Sequence, residues 1–161
     1  MKNIYFSKVK DGAIIPSKRE SDAGYDIYAN ITEDIQINPR EIALIPTGIA
    51  SAFSSGYYMQ LQERGSTGTK GMSLRCGVID SNFRNQWFVP INNTTTKPII
   101  ISPIVEKGFE NNAIIVYSTK KAIAQAVLLP VPKVEIKEIP YDELLKIESD
   151  RGLGMLGSSG K

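Results

Sequence analysis

The feature that most constrains the fold of this chain is a period of two. Short stretches rich in β-branched and aromatic residues alternate apolar with polar side chains. They are KNIYFSKV (2–9), REIALIPTGI (40–49), GYYMQLQE (56–63), QWFVPINN (86–93), KPIIISPIV (97–105), NAIIVYS (112–118), IAQAVLLPV (123–131) and KVEIKEIP (133–140). Successive side chains of a strand point to opposite faces, so the alternation selects strands. Asn38-Pro39, Ser55-Gly56, Lys107-Gly108 and Asn111-Asn112 punctuate the stretches as turns. Many short strands at this spacing predict an all-β barrel or sandwich. Prolines at 90, 98, 103, 130 and 132 cannot donate to a ladder, so they belong at edges, bulges or strand ends. Helix is confined to short turns, one within 141–147 and another within 66–71. A chain of 161 residues suggests one domain, and 42% hydrophobic content gives it a sizeable core. The expected division is a β domain over 1–148 and a Gly-rich arm over 149–161.

One absence narrows the chemistry. The chain has no histidine. That removes Ser-His-Asp and Cys-His catalysis and nearly all catalytic zinc sites. A general base would then be a carboxylate, and a metal would be a hard, oxygen-bound ion. The single cysteine, Cys76, forbids an intramolecular disulfide and points to a reducing compartment, the cytoplasm or a host's cytoplasm. No apolar run reaches the length of a membrane span, and MKNIYFSKVKDG lacks a signal-peptide core. Net charge of +2 is too small to argue for direct nucleic-acid binding.

Four segments carry polar chemistry in loop-like settings. SDAGYDIYA (21–29) sets Asp22 and Asp26 around Ala-Gly; by itself it reads first as a strand start with an Asx turn. ERGSTGTKG (63–71) offers exposed amides, hydroxyls and fixed positive charge, the parts of an anion site, and equally the parts of a flexible polar loop. It is not a Walker loop, for GxxxxGK[ST] is missing. In RCGVIDSNFRN (75–85) an apolar strand delivers Asp80 at its end, where a rigid carboxylate can orient water, and Phe83 follows as a stacking ring. A merely polar turn reads the same residues as well. The tail RGLGMLGSSGK (151–161) is either a frayed end or a segment that wraps an anion with amides, hydroxyls and a guanidinium.

Taken in order, DAGYD, RGSTG with its lysine, GVIDSNF, IAQ and the tail RG.G..GSSG resemble the trimeric dUTPase family, the deoxyuridine triphosphate nucleotidohydrolases. The resemblance spans residues 21–161. It implies a distorted jelly roll of the β-clip type, a homotrimer whose subunits share each active site, and a flexible C-terminal arm that closes as a phosphate lid. The implied reaction is hydrolysis of dUTP to dUMP and pyrophosphate, with Mg2+ as cofactor and water attacking the α-phosphate. By position, Asp26 would help hold the waters of the magnesium ion. Arg64, Gly65 and Ser66 would contact phosphates. Arg75, Gly77 and Ile79 would line the uracil hairpin, Phe83 would stack, and Asp80 would orient the attacking water. Gln125 would bind phosphate or metal-bound water. Arg151, Leu156, Gly157, Ser158 and Ser159 would close over the nucleotide. A backbone slot suits uracil, whose one N–H lies between two carbonyls, because a mismatched base leaves buried polar groups unpaired.

Several positions depart from the family pattern. The second segment reads Arg64-Gly65-Ser66 where Arg-Ser-Gly is usual. Phe83 replaces a tyrosine, Ala122 with Lys121 beside it replaces an arginine, and Met155-Leu156 replaces Gly-Phe in the tail. Residues 94–118 are longer than in compact members and read as an insertion of the kind found in phage dUTPases, dispensable for hydrolysis and able to bind a host regulatory protein. The superfamily includes dCTP deaminases, so deamination or a bifunctional reaction is an alternative, with Glu63 as the added carboxylate. A non-catalytic regulatory binding protein on the same fold is another.

Overall fold

The computed structural model of the chain describes residues 3–154. Among these, thirteen strands and two single-turn helices alternate with turns. The strands are β1 (Tyr5–Lys8), β2 (Gly24–Ile27), β3 (Ile35–Ile37), β4 (Ile42–Pro46), β5 (Ile49–Ala52), β6 (Tyr57–Gln62), β7 (Met72–Leu74), β8 (Val78–Asp80), β9 (Phe88–Asn93), β10 (Ile99–Ser102), β11 (Phe109–Glu110), β12 (Ile115–Ser118) and β13 (Ala124–Pro130). Helix α1 covers Gly65–Gly68 and α2 covers Tyr141–Leu144. They form four small sheets in the orders β1-β5, β11-β12-β10-β3, β2-β13-β6-β8 and β4-β9-β7. Their inner faces enclose one core. Ile27, Ile45, Met59, Val89, Ile91, Ile99, Ile101 and Trp87 are each fully buried, and Trp87 meets Phe6 edge-on at 5.6 Å. This is the all-β, distorted jelly roll that the alternation and the resemblance lead one to expect. No helix among the described residues is long and apolar enough to cross a membrane.

Three stretches differ from the expectation. The run 40–49 is two strands, because Thr47-Gly48 turns the chain. Gly48 has φ +69°, and a Cβ there would stand 2.8 Å from the Ala13 Cβ and 2.9 Å from the Asn30 side chain. The Thr47 hydroxyl donates to the Trp87 carbonyl at 2.8 Å and locks the corner. The run 133–140 forms no strand, and residues 131–154 are exposed throughout. Val134 and Ile136 keep their alternation but are 78% and 93% exposed, and they pair with none of the described strands. Among the described residues the last buried one is Ala126, within β13.

The third difference concerns 94–118, expected as a dispensable insertion. Its strands β10 and β12 belong to the core: Ile99, Ile101, Ile115 and Tyr117 are buried. β10 pairs antiparallel with β3 and parallel with β12. Parallel neighbours need a crossover of about a dozen residues, because the chain must return to the strand's other end. Residues 103–114 supply that crossover, so a short turn in place of 95–111 would both delete β10 and leave the connection too short. Ile101→Ala is expected to lower stability by about 2–5 kcal/mol, the range for truncating a fully buried isoleucine, read from the urea unfolding midpoint.

Candidate active site

Strand β2 turns Tyr25 and Ile27 toward the core, so Gly24 and Asp26 lie on its other face. β13 runs between β2 and β6, and its Gln125 stands directly opposite Asp26 on one side and Gln62 on the other. A Cβ at Gly24 would run into the Gln125 side chain, so glycine at 24 is what lets Gln125 lie across β2. The Gln125 Nε2 donates to the Glu63 carbonyl at 2.8 Å. Where β6 ends, Arg64 folds back onto Asp26 as a fork, with Nε–Oδ1 at 2.9 Å and Nη2 donating to Oδ2 at 3.4 Å. Both side chains are about one-third exposed (33% and 32%), so the pair adds little stability. Its consequence is placement: it fixes a guanidinium and a carboxylate at one cleft wall. Buried Thr67 sets where Arg64 leaves the strand, accepting its N–H at 3.0 Å and donating to its carbonyl at 3.1 Å.

Two adjoining clefts, of about 560 and 610 Å³, share Asp26, Arg64 and Gln125. The first is completed by Arg19, Asp22 and Gly24, the second by Gly65, Ser66, Lys120 and Lys121. Lys120 and Tyr28 also line the second cleft and were not singled out by the sequence; the signal for Lys120 is the Lys-Lys pair just before AIAQ. These lysines supply cationic charge beside Ala122, which is itself buried and gives its carbonyl to the Tyr117 hydroxyl at 3.0 Å. Ser66 Oγ lies 3.5 Å from the same hydroxyl. The arrangement suits a polyanion: guanidinium, two ammonium groups, hydroxyl and amide converge on open polar space. No group of three or more His, Cys, Asp or Glu side chains among the described residues could hold a metal ion by itself.

The second half of the expected site lies elsewhere. Arg75 and Cys76 turn the chain into β8, and Cys76 and Gly77 both have positive φ, +62° and +136°. The Gly77 carbonyl accepts from Leu61 N–H at 2.8 Å. β8 is an edge strand, bonded to β6 on one side only, so alternate peptide groups remain open to a planar ligand. Val78 and Asp80 are exposed while Ile79 packs against the core. The turn beyond Asp80 is clamped by Arg84, whose Nη1 donates to Ser81 O at 2.7 Å and to Ser51 O at 3.2 Å; sequence reasoning passed over this residue. Phe83 is 40% exposed. Asp80 pairs with Tyr58 at one end of β6, and Gln125 pairs with Gln62 at the other. From Asp26, Asp80 is three strands across and four residues along, roughly 20 Å away within one chain. The structure thus brings together Asp26, Arg64, Gly65, Ser66 and Gln125, and separately Arg75, Gly77, Ile79, Asp80 and Phe83. Arg151 sits on the exposed segment that follows Pro130. Leu156, Gly157, Ser158 and Ser159 lie outside the described residues.

Gly77 is the most sterically demanding point of the segment 75–80. A Cβ there would stand 2.7 Å from Gln60 Nε2 and 2.9 Å from the Leu61 carbonyl, and its φ is one that L side chains rarely adopt. Gly77→Ala is expected to cost about 1–3 kcal/mol in strain, with faster amide exchange confined to residues 75–80 as the check.

Glu63, the carboxylate a deaminase would need, is already engaged. Its Oε1 accepts from Leu74 N–H at 2.7 Å and from Ser73 Oγ at 3.3 Å. The Leu74 amide holds the Glu63 carboxyl below its ordinary value, against partial burial that pushes it up.

A family model described as dUTPase matches residues 10–104. A deoxyuridine 5'-triphosphate nucleotidohydrolase of Nautilia profundicola is 32% identical over 162 residues, covering 98% of this chain and 99% of that protein. One of Chlamydia muridarum is 30% identical over 166 residues, covering 98% of each. Among solved structures, the Staphylococcus bacteriophage 80alpha dUTPase with dUPNHPP superposes with a TM-score of 0.76 at 24% identity, covering 99% of both chains. The dUTPase from phage phi11 of S. aureus, described for its species-specific insert, gives 0.67 at 22% identity over 85% of this chain and 96% of that one. At these identities the two structures speak to the fold.

Proposed function

Because this chain belongs to the dUTPase family and is a hydrolase of dUTP, we propose that it cleaves dUTP to dUMP and pyrophosphate in sites that no single copy contains. The observation that carries this reading is the separation of Asp80 from the Asp26–Arg64–Gln125 cleft. A base too far from the phosphates in its own chain can serve the cleft of a neighbouring copy, and closed symmetry then repeats the site around a homotrimer. The exposed run 131–154 supports the same reading, for Val134 and Ile136 are uncovered in their own copy and a neighbouring copy can cover them. The cytoplasm, where nucleotide pools are held, is the proposed location.

In each shared site the open edge of β8, with Arg75, Gly77 and Ile79, receives the uracil edge, and Phe83 stacks on the nucleoside. Arg64, Gly65, Ser66 and the lysines at 120 and 121 face the triphosphate. The oxygens of Asp26 and Gln125 suit Mg2+ through water. The ion usually keeps several waters and takes the rest of its shell from substrate phosphates, so a single carboxylate and an amide at the cleft wall are a sufficient donor set. Bound there, the ion would neutralise phosphate charge and hold the triphosphate in one conformation. Asp80 takes a proton from water as the water oxygen attacks the α-phosphorus. The bond to the α,β-bridging oxygen breaks, and pyrophosphate leaves. Arg151, Ser158 and Ser159 act as the arm that closes over the triphosphate before the attack.

A panel of deoxynucleoside triphosphates, read for pyrophosphate and for ammonia, should show pyrophosphate from dUTP and no ammonia from dCTP. Sedimentation should give a mass near three times 17.7 kDa. Inactive Asp80→Asn and Arg64→Ala chains, unfolded and refolded together, should recover up to about a quarter of the sites, since a shared site can draw its intact halves from different chains. An active monomer, or no recovery on mixing, would count against shared sites.

A further inference from the structure

We propose that Glu63 is a positioning residue that sets the distance between the phosphate cleft and the uracil hairpin. It is wired to both. Its backbone carbonyl holds the Gln125 amide at 2.8 Å, and Gln125 lines both clefts. Its carboxylate accepts the Leu74 N–H at 2.7 Å and the Ser73 hydroxyl at 3.3 Å. Leu74 is the last residue of β7, and Arg75 opens the hairpin immediately after it. The next residue after Glu63 is Arg64, the guanidinium of the cleft wall. One side chain therefore ties the end of β6 to the end of β7, eleven residues on, at the point where the two functional segments diverge. A short, charge-assisted bond to a backbone amide is directional, and it resists sliding of β7 against the start of α1. In a closed assembly every site combines the cleft of one copy with the hairpin of another through the same symmetry operator, so a shift within the chain reappears in every site.

This inference rests on the dUTPase reading above and makes a prediction that a general loss of stability does not. A ligand that spans both halves should feel Glu63; a ligand that uses one half should not. The probes are dUPNHPP, which spans both, dUMP, which uses the hairpin, and pyrophosphate, which uses the cleft. In Glu63→Ala the affinity for dUPNHPP should fall about tenfold, the scale of a lost charged hydrogen bond, while dUMP and pyrophosphate stay within about twofold of the native protein. Glu63→Asp keeps the charge, shortens the reach and should show the same split, which serves if the alanine chain folds poorly. Glu63→Gln keeps an oxygen for the Leu74 N–H and should restore most of the dUPNHPP affinity. Parallel weakening of all three ligands, or unchanged dUPNHPP binding in both the alanine and aspartate chains, overturns the proposal. Native protein that fails to bind dUPNHPP overturns the dUTPase reading, and the inference falls with it.

Discussion

Asp80→Asn is expected to bind dUPNHPP as the native chain does and to lose about 10²–10⁴-fold in turnover, the scale of a missing general base. Asp80 ends β8, where its backbone is registered against Tyr58 and its side chain is exposed. An amide of the same shape therefore disturbs neither the core nor the sheet. What it cannot do is take a proton from water. The chain has no histidine to stand in, and Arg84, which clamps the next turn through the Ser81 and Ser51 carbonyls, is a permanent cation that cannot accept a proton. Single-turnover release of pyrophosphate separates binding from chemistry. Turnover within tenfold of native would remove Asp80 from the role.

Deleting residues 151–161 is expected to lower kcat on the order of 10²-fold, the cost of losing alignment at a reacting centre, with the thermal midpoint and the trimer nearly unchanged. The stability half of this expectation follows from burial. Every residue from 131 to 154 is exposed, so among the described residues the deletion removes no buried side chain. The kinetic half follows from charge. A Gly-rich segment is costly to order, so it needs charge-assisted contacts in return, and β- and γ-phosphates provide them for Arg151 and the two serines. Closure of such an arm excludes water and aligns the triphosphate, which acts on turnover. Affinity for dUMP, which lacks those phosphates, should not change. Steady-state kinetics with a thermal melt on the same samples is the check; an unaltered kcat would reduce the tail to a bystander.

Much of the site was legible because its parts are local. AGYD, RGS, GVIDS and IAQ each lie within a few residues, and the residue types in each suit phosphate, water or a base edge. Ala122 is instructive: its side chain is buried and its carbonyl serves Tyr117, while the neighbouring lysines bring the charge. Glu63 was visible only as a spare carboxylate. Its partners are Leu74, Ser73 and Gln125, of which the last is 62 residues away, and no spacing rule reveals such a set.

By itself the sequence determined the all-β class and marked the four polar motifs as a candidate site, because alternation and side-chain type are properties of neighbouring residues. Only the tertiary structure decided partners. KPIIISPIV and NAIIVYS read as parts of a dispensable insertion, yet they hold parallel core strands, and KVEIKEIP alternates like a strand but pairs with none of the described strands. Strand pairing is a long-range hydrogen-bond choice: alternation says which way a side chain points and leaves open which strand lies beside it. The same reason governs the site. The distance between Asp80 and Asp26 is set by three inter-strand pairings, none of which leaves a mark in the local sequence.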